Sequence, residues 1–143
     1  MSHFSLIKTI ITRKSALIKA LCNMGFKTYM IEDSEELLSL KGYRGDTREQ
    51  KAHIRIKGNG WGQTCNYVGG ASNDLGFEKM MNGSYAFHVS EYDLGKYNKT
   101  WQTKLLNEYS REVVKEIATE QNFFVAEEET VGNEIHIKLT TAF

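Results

Sequence analysis

The chain has 143 residues, 41% of them hydrophobic and 25% charged, and its 18 basic residues balance 18 acidic ones. This size and composition are typical of one soluble globular domain, 1–143. A formal charge of zero provides no global attraction to nucleic acid or to an anionic membrane, so we expect neither as a partner. The two cysteines, Cys22 and Cys65, stand in no ligand-like spacing, and we expect no metal and no cofactor.

The sequence contains no apolar run approaching the roughly 20 residues that span a bilayer. Its first ten residues, MSHFSLIKTI, lack the charged and apolar blocks of a signal peptide. We therefore expect a cytoplasmic protein.

The first part of the chain predicts a strand, a helix and further strands. Residues 2–11 are rich in β-formers, and residues 13–25 carry leucines at helical spacing before a glycine. Residues 26–31 are expected to form a strand, and residues 32–40 a loop with at most one helical turn. Residues 50–58 alternate between apolar and polar side chains, which predicts a strand with one buried face.

The second part predicts a hairpin, a long helix and a final pair of strands. Asn82-Gly83 between two apolar stretches is a strong hairpin signal. Residues 98–122 place apolar side chains at every fourth position, which predicts an amphipathic helix. Two last strands flank Val131-Gly132-Asn133. The apolar stripe of the helix consists of Trp101, Leu105, Tyr109, Val113 and Ile117.

The expected order is therefore strand, helix, about four strands, long helix and two strands. Short connections favour antiparallel pairing, and each helix has one apolar stripe. We predict an α+β fold in which a single, mainly antiparallel sheet carries both helices, 13–24 and 98–121, on one face.

The segment Gly42-Tyr43-Arg44-Gly45 is the first candidate site. The glycines permit a positive φ at either end, and an arginine fork suits a carboxylate or phosphate. A phosphate loop follows a strand and opens a helix, whereas this segment precedes the strand that begins near Gln50. We expect a rigid turn that displays Tyr43 and Arg44 for recognition. The competing interpretation is a plain surface turn in which Arg44 pairs with Asp46.

The glycine-rich segment 58–72 is the second candidate, because it surrounds Trp61 and Tyr67 with five glycines. Aromatic side chains on loops are typical anchors for a binding partner. Trp61 can equally fold back as a lid on the core, and the sequence does not separate these alternatives.

No catalytic constellation is evident. The four histidines, His3, His53, His88 and His136, all fall on predicted strands, where a neighbouring pair would suit metal binding or acid–base chemistry. Polar strand faces also collect histidines that have no such role. No serine lies in a nucleophile elbow, and spacing marks out no pair of carboxylates. We lean towards a protein that is not an enzyme.

Four short segments together resemble a known family: MSHFS at 1–5, LIKALCNMGF at 17–26, GYRG at 42–45 and QNFFVAEE at 121–128. The chain is similar to the conserved plastid and cyanobacterial family of the hypothetical chloroplast reading frame thirty-five, which has relatives in bacteria and phages. The resemblance implies an accessory role beside an AAA-type ATPase or a small protein encoded by an adjacent gene. It supplies no catalytic residues, and it draws attention to Ser2, His3 and Phe4.

We therefore predict an interaction module or accessory factor that binds a protein partner. The alternative is a small-molecule or nucleotide-binding protein that uses Arg44 and nearby polar residues. A weaker alternative is nucleic-acid binding through Arg13, Lys14, Lys41, Arg44 and Arg48, and self-association into a homodimer is also open. The binding residues that we predict are His3, Tyr43, Arg44, Arg48, Trp61 and Tyr67.

Overall fold

A computed structural model describes residues 3–121, 123–132 and 134–141, without the side chains of 123–126 and 139–141. The chain divides into two compact units. The first contains Met1–Thr12 and Phe26–Lys99, and the second contains Arg13–Gly25 and Thr100–Phe143. The predicted single domain, 1–143, stays a prediction.

The first unit contains a five-stranded sheet in the order β1-β5-β4-β3-β2, in which every neighbouring pair is antiparallel. The predicted hairpin at Asn82-Gly83 is confirmed, since it joins β4 to β5. The strands are β1 (Phe4–Lys8), β2 (Ile31–Lys41), β3 (Thr47–Ile56), β4 (Leu75–Lys79) and β5 (Tyr85–Ser90).

The second unit contains two helices and a hairpin: α1 (Lys14–Asn23), α2 (Lys99–Glu120), β6 (Phe123–Val131) and β7 (Glu134–Thr141). In the predicted stripe of α2, Leu105 and Tyr109 are buried, whereas Trp101 is half-buried. The Tyr109 hydroxyl accepts the backbone N–H of Arg13 at 3.0 Å, just before α1 begins. This bond satisfies a donor that the first turn of a helix leaves without an intrahelical partner.

The mixture of helices and antiparallel strands confirms the α+β class. The sequence predicts one sheet, whereas the described strands form two, because β6 and β7 pair with each other rather than with the first five. That both helices pack on one face of a sheet stays a prediction. Neither described helix is long and apolar enough to cross a membrane.

Two local predictions are wrong. Residues 32–40, expected to form a loop, belong to β2, and residues 28–30 of the expected strand at 26–31 form a 3-10 turn. β2 is an edge strand, so Asp33, Glu35 and Glu36 remain exposed while the ends of β2 pair with β3. This pairing outweighs the poor β-propensity of the acidic residues.

Glycine at position 76 allows side chains of β2 and β3 to lie against the backbone of β4. A Cβ at Gly76 would lie 2.7 Å from the Ala52 Cβ and 3.0 Å from the Leu40 Cδ atoms. In the core, the Phe77 ring of β4 and the Phe87 ring of β5 stack with their centroids 4.8 Å apart. The far end of the β2–β3 hairpin contacts Asn59, Gly60 and Asn73 of the loop that follows β3.

Candidate functional site

The connection between β2 and β3 is a closed turn at residues 42–46. The Gly42 N–H donates to the Asp46 carbonyl at 2.8 Å, and the Gly45 N–H donates to the Gly42 carbonyl at 3.0 Å. Gly45 has φ +86°, a conformation that glycine adopts without strain. The backbone of the turn therefore has one defined conformation.

Two asparagines and a second glycine segment hold this turn from outside. The Tyr43 N–H donates to Asn73 Oδ1 at 2.9 Å, and the Tyr43 carbonyl accepts Asn59 Nδ2 at 3.0 Å. Gly60 approaches so closely that a Cβ there would lie 2.2 Å from the Gly42 carbonyl oxygen. The turn is thus fixed by Asn59 and Asn73, which lie 16 and 30 positions from Tyr43 in the sequence.

Asn73 is itself held by a buried network at the end of β5. Its side-chain amide donates to Ser90 Oγ at 2.8 Å, and its backbone N–H donates to Asp93 Oδ2 at 3.0 Å. Ser90 Oγ also donates to Asp93 Oδ2, at 3.1 Å. Burial raises the pKa of Asp93 above its usual value, although these hydrogen bonds and the Lys96 charge oppose the shift. A satisfied buried network of this kind specifies a single arrangement of the chain.

A second buried carboxylate, Asp74, organises the glycine-rich segment. It accepts the Lys41 N–H and the Gly58 N–H, each at 2.8 Å. The Trp61 indole N–H lies 3.0 Å from both of its oxygens. Burial raises the Asp74 pKa, and the bonds from Trp61, Gly58 and Lys41, together with the charge of Arg55, oppose the shift. Asp74 therefore fixes the orientation of the indole.

Three cations surround the Trp61 ring. Measured to the ring centroid, Lys41 Nζ lies at 3.8 Å, Lys57 Nζ at 4.4 Å and Arg55 Cζ at 4.6 Å. Trp61 is half-buried, so it is neither a fully covered lid nor a freely exposed anchor. The indole serves as a platform on which charged side chains are arranged.

One carboxylate, Glu32 on β2, compensates two of these charges. It pairs with the Arg55 Nε and, at 3.2 Å, with the Lys57 Nζ. Burial would raise the Glu32 pKa, but the hydrogen bonds and charges of Arg55 and Lys57 outweigh it and hold the pKa below its usual value. No ion pair among the described residues includes Lys41.

The predicted residue Arg44 is exposed, and its guanidinium carbon lies 5.3 Å from the Tyr43 ring centroid. The expected alternative partner, Asp46, instead lies 3.4 Å from Arg48. Arg48 also lies over the Phe4 ring, at 5.5 Å. Within the described part of the chain, Arg44 therefore presents its charge to solvent, whereas Arg48 is engaged locally.

The other two predicted residues have their own local environments. The Tyr67 ring meets the Tyr29 ring edge-on at 5.9 Å, and the Tyr67 N–H donates to the Lys57 carbonyl at 2.9 Å. The His3 carbonyl accepts the Glu91 N–H at 2.8 Å, beside β1. Ser2 lies outside the described residues.

We use the name basic–aromatic surface for six residues of these neighbouring segments: Lys41, Tyr43, Arg44, Arg55, Lys57 and Trp61. Sequence reasoning found Tyr43, Arg44 and Trp61 but missed the contributions of Arg55 and Lys57. Arg55 lies in β3 and Lys57 directly follows its last residue, two positions further on, a spacing that could have indicated a shared basic face.

The histidines form no shared centre in the described part of the chain. His53 Nδ1 accepts the Lys79 N–H at 2.9 Å, where the pairing of β3 with β4 ends. His88 is buried and its Nε2 lies 2.8 Å from Glu78 Oε1. Among the described residues, no group of three or more histidine, cysteine or carboxylate side chains is placed to hold a metal ion.

Two surface cavities, of about 560 and 530 Å³, lie within the second unit. The larger is lined by Trp101, Lys104 and Arg111 of α2 together with Thr130 and Ile135 of the hairpin. The smaller lies between α1 and α2. Neither cavity includes Arg44.

No protein-family model, curated protein or solved structure matches the chain. The resemblance to the plastid and cyanobacterial family therefore stays a prediction.

Proposed function

We propose that the protein is a non-enzymatic binding module for a protein partner, with Arg44 and Tyr43 as its central contacts. The supporting observation is the fixed turn at 42–46, whose backbone is held by distant residues while the Arg44 side chain remains exposed. A side chain on a preorganised turn loses less conformational entropy when it binds.

The chemistry of the two side chains suits recognition better than catalysis. An arginine stays charged at physiological pH, so it is a poor proton donor or acceptor but a good fork for a carboxylate. A tyrosine offers a broad apolar face with a polar tip, and both residue types are enriched at binding hot spots.

A small-molecule or nucleotide site at Arg44 is the less favoured candidate. Such sites are concave and surround their ligand, whereas the Arg44 side chain is exposed. A cytoplasmic location, an AAA-type ATPase as partner and homodimer formation stay predictions.

The test compares the wild type with Arg44→Ala and with Lys51→Ala, which removes an exposed cation elsewhere on β3. Each tagged protein is expressed in the native host, and the proteins that it retains are quantified by mass spectrometry. A protein that the wild type retains should then be purified and titrated against the wild type and both variants. We expect Arg44→Ala to weaken binding by about 1.5–3 kcal/mol, the range for a hydrogen bond to a charged group.

The unfolding free energy of Arg44→Ala should stay within about 0.5 kcal/mol of the wild type, because the changed side chain is exposed. Lys51→Ala should alter neither property. An Arg44→Ala variant that unfolds, or that binds every retained protein as the wild type does, would contradict the proposal.

A further inference from the structure

The cations around Trp61 are a feature that the role of Arg44 leaves unexplained. Lys41 and Lys57 place their ammonium groups within 4.4 Å of the same ring centroid. Like charges repel at short range, and this arrangement is sustained by the ring and by one carboxylate, Glu32. Lys41 belongs to no ion pair within the described residues.

The positive charge on this surface exceeds the negative charge that faces it. Lys41, Arg44, Arg55 and Lys57 contribute four cations, and Glu32 contributes one half-buried carboxylate. Asp74 is buried and already accepts hydrogen bonds from three N–H groups, those of Lys41, Gly58 and the Trp61 indole. The surface is therefore locally basic although the whole chain is neutral.

Building on the function proposed above, we infer that the partner presents an acidic segment, whose carboxylates bind to Lys41 and Lys57 at the edge of Trp61 while Arg44 holds a neighbouring group. The inference rests on charge complementarity at a preorganised surface. The Lys57 side chain is 24% exposed, whereas the Arg55 side chain is 11% exposed and pairs with Glu32, so Lys57 is the more accessible of the two cations.

The same geometry disfavours single-stranded nucleic acid, the other common anionic partner. Proteins that bind single strands stack the bases on open aromatic faces. The Trp61 ring is half-buried and surrounded by three side-chain cations, so it offers a base little open face. An acidic protein segment requires contact with the charged groups and not with an open ring face.

The test titrates the full-length protein with a synthetic peptide of alternating Glu and Gly, and with a matched peptide in which Gln replaces Glu. The signal is the indole N–H resonance of Trp61, with the Trp101 indole of the second unit as an internal control. We expect the Glu peptide to shift the Trp61 resonance and the Gln peptide to leave it in place. Raising the salt from about 50 mM to about 500 mM should weaken the binding at least severalfold.

Two variants locate the site. Lys41→Ala and Lys57→Gln should each weaken binding of the Glu peptide about tenfold, the effect of losing one charge-assisted hydrogen bond. Lys51→Ala should bind as the wild type does. If Lys41→Ala disturbs folding, Lys57→Gln still tests the site, because glutamine preserves most of the length of the lysine side chain.

Three results would overturn the inference: no shift with the Glu peptide, equal shifts with both peptides, or tighter binding of oligothymidylate that depends on Lys41. A partner whose binding needs Arg44 but is unaffected by Lys57→Gln and by salt would reject the acidic segment alone. If Arg44→Ala bound the partner as tightly as the wild type does, the proposed function itself would be rejected.

Discussion

The two hairpin turns of the five-stranded sheet differ in what holds them. The turn at 80–84 between β4 and β5 is closed by its own residues: the Met80 N–H donates to the Ser84 carbonyl, and Asn82 Oδ1 accepts from Ser84. The turn at 42–46 has similar local bonds but is also held by Asn73, Asn59 and Gly60. A hairpin needs only local bonds to close, so the additional ties indicate a turn whose position matters to the rest of the surface.

The largest expected effect comes from Gly60→Ala. The new Cβ would lie 2.2 Å from the Gly42 carbonyl oxygen and 2.9 Å from the Gly45 nitrogen, and neither backbone atom can move without opening the turn. Overpacking of this kind should lower the free energy of unfolding by about 3 kcal/mol. Chemical denaturation measures the change.

Gly95→Ala is the matched control for Gly60→Ala, because no atom lies within 4 Å of a Cβ at that position and its φ is not positive. It should change stability by no more than about 1 kcal/mol. Equal stabilities for the two alanine variants would show that the two glycine segments do not pack as described.

The next largest effect is expected from replacing the asparagine that accepts hydrogen bonds from each turn, Asn73 or Asn82. Asn73 is buried, and Asn73→Ala leaves the Tyr43 N–H without its acceptor, so we expect a loss of about 2 kcal/mol, within the range for an unsatisfied buried group. Asn82 is exposed, and water can replace it, so Asn82→Ala should change stability by about 0.5 kcal/mol. Similar losses, measured by thermal and chemical unfolding, would remove the distinction between the turns.

The pH dependence of stability provides a smaller effect at the same network. Burial raises the pKa of Asp93 in the folded protein, so the folded state binds this proton more tightly than the unfolded chain does. The resulting stabilisation is present below the usual pKa of 3.8 and is lost as the pH rises through the folded value. The stability of the wild type relative to Asp93→Asn should therefore fall with increasing pH, as urea titrations at several pH values would show. A constant difference, or one that grows with pH, would contradict the assignment.

The sequence predicts the elements more completely than it predicts the site. Periodicity located both helices, and Asn82-Gly83 located one hairpin, because these signals are local. The strand at 32–40 was missed, since its acidic residues become β-structure only through pairing with β3. The partners of the turn, Asn73 and Asp74, were missed for a related reason: their roles depend on the close approach of segments that are distant in the sequence.

Trp61 shows why two opposed interpretations of one residue can both be incomplete. The sequence suggested either a binding anchor or a lid on the core. In the structure its indole N–H donates to the buried carboxylate of Asp74, while cationic side chains such as Lys41 lie against its ring. Lys41 ends β2, Arg55 lies in β3 and Lys57 follows it, so their convergence on one ring depends on segments that are apart in the sequence.

Amide hydrogen exchange of the native protein tests the central claim most directly, that the turn at 42–46 is held from outside while the turn at 80–84 closes on itself. We predict that the Tyr43 amide, bound to buried Asn73, exchanges much more slowly than the Gly83 amide, which donates to the Met80 carbonyl within its own turn. The Asn73→Ala variant should abolish this difference at Tyr43 and leave Gly83 unchanged. Equally fast exchange at both amides in the wild type would contradict the account, because a turn that opens as freely as an ordinary hairpin cannot be a preorganised recognition surface.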